Sequence, residues 1–157
     1  MTRLQIWLQH LSNLLVGGTG LVYFVMKHLL TSDDPFAVVN HPAQPLVQHL
    51  HVLTAPTLVF VLGFLWARHA VPNAKRPGMP SWRSGILLMI GFAPMVASGY
   101  LLQVSVEPLW RTIFLWTHLA TSALWVLGYV IHLGRPALAA IRKAKGEPAA
   151  DDVPRTV

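Results

Sequence analysis

No cysteine occurs among the 157 residues. Disulfides, iron–sulfur clusters, thiolate zinc sites and any haem attached through thioethers are therefore excluded. Charge is scarce as well: 11% of residues are charged against 54% hydrophobic, where a soluble domain carries about 25% charged residues. Such a chain is too apolar to hide inside one small globule, and intrinsic disorder is excluded. Acidic residues are scarcest, 6 against 12 Lys plus Arg. A net charge of +6 in a soluble protein would point to nucleic acid. Here the positive charges gather at the ends of apolar runs, which is the pattern that orients membrane helices, so no nucleic-acid partner is expected. Histidine is what the chain has in excess: there are 8, more than all the carboxylates together.

The composition predicts an all-α integral membrane protein, a four-helix bundle. A spanning helix takes about 20 apolar residues. Four runs qualify on sequence: Leu4 to Leu30, Pro45 to Ala67, Ser84 to Val104, and a fourth beginning at Glu107–Pro108 and reaching Leu133. The first run is too long for the apolar region of a signal peptide and is read as retained. Pro56 and Pro94 mark expected kinks in the second and third spans. Val71 to Met79 reads as a loop. Gly134, Arg135 and Pro136 are expected to interrupt the last span, which separates a four-helix transmembrane domain, residues 1–136, from a basic, partly disordered cytoplasmic tail, residues 137–157.

Charge sets the orientation. One side holds Arg3, Arg68, Lys75, Arg76, Arg83, Arg135, Arg142, Lys143, Lys145 and Arg155, while the other holds only Lys27 and Arg111. The basic side, here side A, is expected in the cytoplasm of a bacterial inner membrane, with both termini there. Side B, with Asp33, Asp34 and Glu107, faces the periplasm.

Ionisable residues inside a span are costly and mark functional sites. Alternating span directions put His10 toward side A, His49 and His51 near side B, His118 in the B half and His132 at the A end. His118 and His132 are 14 residues apart, roughly 21 Å along a helix and about 40° short of four turns. They share a face at two depths, as two stacked metal centres on one helix require. His10 can meet His132 on side A, and His51 or His49 can meet His118 on side B. Neutral imidazole is a good axial ligand for haem iron, and two of them leave no open position, which suits electron transfer. His28, His41 and His69 lie at interfaces or in a loop. Gly17, Gly18, Gly20, Gly91 and Gly99 would let a flat macrocycle or another helix approach the backbone.

Across Leu4 to Arg135 these residues resemble the di-haem cytochrome b subunits that anchor respiratory enzymes. That group is typified by the gamma subunit of formate dehydrogenase and includes the cytochrome b subunits of nickel–iron hydrogenases and the cytochrome b561 family. The resemblance rests on His10 with Thr19–Gly20, Leu50–His51 and Arg68, Ser98–Gly99, and above all Arg111, His118 and His132 in one span. It departs from the family at Trp7–Leu8–Gln9–His10–Leu11, at Ser122 and in the short polar loop Pro77 to Arg83. It implies two haems b held by His10, His51, His118 and His132, with His49 the alternative to His51. It also implies electron transfer between the quinone pool and a redox partner on side B, such as a dehydrogenase, a hydrogenase or a c-type cytochrome. Residues suited to a quinone headgroup on side A are Arg68, His69, Arg83 and Ser84. Competing readings are a cofactor-free membrane anchor and a non-haem metal oxidase or hydroxylase, for which only His49–x–His51 offers a histidine cluster.

Overall fold

A computed structural model describes residues 2–79 and 81–145. The expected polar end of the tail, with Arg155, and the side chain of Lys143 lie outside the described residues. All regular structure among them is helical: α1 (Arg3–His28), α2 (Gln44–Leu65), a π-helical segment (Trp66–Ala70), α3 (Val71–Ala74), α4 (Trp82–Val104) and α5 (Pro108–Ala144). The chain forms two compact units, residues Met1–His69 and Ala70–Val157.

In the first unit α1 and α2 make an antiparallel hairpin. Thr2 and Gln5 start α1 as a reciprocal cap: the Gln5 N–H donates to Thr2 Oγ1 at 3.3 Å and the Thr2 N–H to Gln5 Oε1 at 2.8 Å. Lys27 and His28 occupy the last turn, where cations meet the negative end of the helix dipole. The connection is tied back by Asn40, whose Nδ2 donates to the Lys27 carbonyl at 2.9 Å. Pro45 sits in the first turn of α2, where its missing N–H costs nothing.

Helix α2 passes through Pro56, and α4 through Pro94, without interruption. The expected loop after α2 is partly helical, because the backbone widens into the π-helical segment and then forms α3. Pro72 explains the widening: it cannot donate to the carbonyl of Arg68, four residues back, and its ring crowds that carbonyl.

In the second unit α4 and α5 pack antiparallel. Glu107 begins α5 by accepting the Trp110 N–H at 3.1 Å, and its charge suits a helix N-terminus. The seam between the helices has three layers at heptad spacing. Gly99 faces His118, Phe92 faces Trp125 and Gly85 faces His132. Each layer is 7 residues from the next on both helices, about 10.5 Å of rise. In the middle layer Trp125 is 7% exposed and its ring centroid lies 5.7 Å from that of Phe92. This pair fixes the register that sets both outer layers.

Helix α5 continues through Gly134, Arg135 and Pro136 to Ala144, which corrects the expected break there. Three helical stretches are long and apolar enough to cross a bilayer: Gln44–Ala74, Trp82–Val104 and Pro108–Arg142. Helix α1, at 26 residues, is long enough at about 39 Å but falls outside that group. Gln5, Gln9, His10, Ser12, Asn13 and Thr19 dilute its apolar character.

Candidate metal-ligating histidines

The Ser/Thr–Gly dipeptide occurs three times in the sequence, as Thr19–Gly20, Ser84–Gly85 and Ser98–Gly99. Each of the three lies against one histidine of the neighbouring helix. The reason is spatial. At Gly20 and Gly99 a side chain would run into the imidazole, while at Gly85 it would make ordinary contact. A Cβ on Gly20 would lie 2.8 Å from His51 Cε1, one on Gly99 3.0 Å from His118 Cε1, and one on Gly85 3.4 Å from His132 Cε1.

The glycine lets the ring reach the backbone of the turn before it. His51 Nδ1 lies 3.0 Å from the Val16 carbonyl and 3.3 Å from Thr19 Oγ1. His118 Nδ1 lies 3.0 Å from the Met95 carbonyl. His132 Nδ1 lies 3.2 Å from Ser84 Oγ, and the Ser81 backbone also acts on this ring. The three sites follow one local rule: a carbonyl at position i, a hydroxyl at i+3 and a glycine at i+4 of the facing helix.

These partners fix the tautomer. A carbonyl oxygen can only accept, so Nδ1 of His51 and of His118 carries the proton. Ser84 donates its own proton to the Ser81 carbonyl at 3.0 Å, so its oxygen accepts from His132 Nδ1. Thr19 likewise donates to the Leu15 carbonyl at 2.6 Å. In all three rings Nε2 then carries the lone pair that binds a metal. A ligating histidine whose other nitrogen is tied to a carbonyl or hydroxyl is held in orientation and made a better electron donor.

His51 occupies such a cradle against α1, whereas His49 is exposed. His10 is half-buried on α1, edge-on to Trp7 with ring centroids 6.3 Å apart. Beside it Gln9, only 8% exposed, carries a buried Oε1 without a hydrogen-bond partner among the described residues. That is an acceptor placed next to the fourth expected ligand. Ser84, expected among the quinone donors, is 5% exposed and spends its hydroxyl on Ser81 and His132. Arg68 lies exposed with its guanidinium 5.1 Å from the Phe64 ring centroid. His69 is half-buried at the end of the first unit and Arg83 is exposed in the second.

Ser84–Gly85 is the part of the site that sequence reading missed. The available signal was its 14-residue spacing from Ser98–Gly99, which equals the spacing of His118 from His132. No group of three or more His, Asp or Glu side chains converges among the described residues, whereas axial ligation of a haem takes two. In comparisons with known proteins, no family model, curated protein or solved structure matches the chain.

Proposed function

We propose that the chain is a di-haem b cytochrome subunit of a membrane oxidoreductase complex. In this reading His10, His51, His118 and His132 are the axial ligands of the two haems, and α1 spans the membrane as the other three long helices do. The observation that carries the reading is the pattern of cradles. Three of the four expected ligands have Nδ1 tied to a carbonyl or hydroxyl of the facing helix, and each packs against a glycine, where a Cβ would collide at Gly20, crowd at Gly99 and make ordinary contact at Gly85. A histidine needed only for packing gains little from a fixed tautomer, while a ligand needs it.

Haem b bound there supplies reversible one-electron transfer. The residues of the chain bind and orient it, and the apolar helices around it exclude water. Two histidines would hold each haem, which would suit electron transfer rather than oxygen chemistry. Electrons pass between quinone on side A and a dehydrogenase, hydrogenase or c-type cytochrome on side B. Arg68 and His69 in the first unit, and Arg83 in the second, are each proposed as a donor to quinone, since a basic group stabilises the charge that develops on its oxygens.

The purified protein is expected to show a sharp α band on reduction and two haems b per chain in a pyridine haemochrome assay. A cofactor-free anchor gives neither signal, and a non-haem iron protein gives iron without the band.

The orientation belongs to the same reading. Side A is cytoplasmic in a bacterial inner membrane, with both termini on it. A reporter active only in the cytoplasm should give signal when fused at Val157 and none when inserted between Asp33 and Asn40. The opposite result would invert the membrane sides assigned to both haems.

A further inference from the structure

Resting on the di-haem reading, we propose that Ser84 and Thr19 are positioning residues that tune His132 and His51, and that Ser98, alike in sequence, does not tune His118. The three hydroxyls stand at the same place in the three cradles, one residue before the glycine. Their hydrogen bonds differ. Ser84 Oγ lies 3.2 Å from His132 Nδ1 and is aimed by its own bond to the Ser81 carbonyl. Thr19 Oγ1 lies 3.3 Å from His51 Nδ1 and donates back along α1, to the Leu15 carbonyl at 2.6 Å and the Val16 carbonyl at 3.2 Å. Ser98 donates back along α4 in the same way, to the Pro94 carbonyl at 2.6 Å and the Met95 carbonyl at 3.1 Å. It shares the Met95 carbonyl with His118 Nδ1, as Thr19 shares the Val16 carbonyl with His51 Nδ1; what sets Thr19 apart is its 3.3 Å contact with the ring.

Burial makes these bonds count: Ser84 is 5% exposed and Ser98 3%, so water does not replace a lost partner.

An acceptor on Nδ1–H gives the imidazole partial anionic character, strengthens its donation to iron and favours the oxidised state. Removing the acceptor therefore raises the midpoint potential of that one haem. Backbone carbonyls cannot be removed by substitution, so Ser84 and Thr19 are the points at which a side chain sets the potential.

The test is a redox titration of the purified holoprotein and of Ser84→Ala, Thr19→Val and Ser98→Ala, followed by the α band and by the low-spin ferric EPR signals. Ser84→Ala should raise one midpoint and move its EPR signal, Thr19→Val should do the same to the other haem, and Ser98→Ala should leave both where they were. Ser84→Thr should restore the first. If Ser84→Ala loses its haem, the Thr variant decides: retention of both haems at the original potentials supports the proposal, and loss overturns it. Unchanged midpoints in Ser84→Ala and Thr19→Val, or an equal shift in Ser98→Ala, overturn it while leaving the di-haem reading intact. Absence of haem from the unsubstituted protein removes both.

Discussion

Replacing His118 with alanine should remove one of the two proposed haems, and replacing His132 should remove the other. The expectation rests on distance along a single helix. The two residues are 14 apart on α5, about 21 Å, whereas two nitrogens on one iron lie about 4 Å apart, twice a metal–imidazole bond. They cannot ligate the same iron. Their rings both face α4, each against its own glycine, so the two sites on α5 are alike in construction and separate in depth. Each variant should retain one haem per chain, and the midpoint that survives should differ between them. The middle layer, Phe92 against Trp125, carries no ligand and should hold α4 and α5 in register in both variants. Loss of the same midpoint from both variants would mean that α5 does not supply one ligand to each centre.

The second large effect should come from glycines, in a graded order. Alanine at position 20 places its Cβ 2.8 Å from His51 Cε1 and 3.1 Å from Nδ1, closer than side chains approach. Either the ring leaves the Val16 carbonyl or α1 moves off α2. Overpacking of this kind costs about 1–3 kcal/mol, and the ring displacement should release the haem on His51. Gly99→Ala meets His118 at 3.0 Å and should weaken its haem without abolishing it. Gly85→Ala meets His132 at 3.4 Å, an ordinary contact. There the gain of up to about 1 kcal/mol from replacing a helical glycine should leave stability equal or higher. Gly17→Ala, with open space, is the control. Haem content and the temperature of haem release measure the series. Haem loss at Gly85→Ala with retention at Gly20→Ala would show that the cradles are not set by ring clearance.

Much of this arrangement was legible in the chain. Apolar length marked the spans at Pro45 to Ala67, Ser84 to Val104 and Glu107–Pro108 to Leu133, because hydropathy is local and sums over a run, although two of these helical stretches run on to Ala74 and Arg142. The first helix was legible as a helix, but its polar residues Gln9, His10, Ser12 and Asn13 blur the same sum. The 14-residue spacing of His118 and His132 was legible because both lie on one helix of known pitch. What lay beyond reach depended on how one helix meets another. Of five glycines singled out on sequence, only Gly20 and Gly99 touch a histidine; Gly17, Gly18 and Gly91 face open space. Gly85 touches one and was passed over. Ser84 read as a quinone donor beside Arg83, because nothing within α4 alone tells that His132 lies opposite. The choice between His49 and His51 likewise turns on which residue of α2 faces Gly20, a matter of helix pairing. The ends of helices were least legible: Pro136 looked like a stop, yet the preceding turns of α5 carry through it.

The equal spacing of the two outer layers in the α4–α5 seam constrains how this chain can change length. Ser84–Gly85 and Ser98–Gly99 are separated by 14 residues, and so are the two histidines opposite them. One residue added to α4 between the pairs turns everything beyond it by about 100°, which swings one glycine away from its imidazole while the other stays. Deleting a residue does the same in the opposite sense. A matching insertion in α5 between His118 and His132 would restore both alignments. Homologous chains should therefore vary freely in their connecting loops, yet gain or lose residues in this stretch of α4 only together with the facing stretch of α5. The interval between the two sites behaves as a shared ruler, cut to one length on two helices.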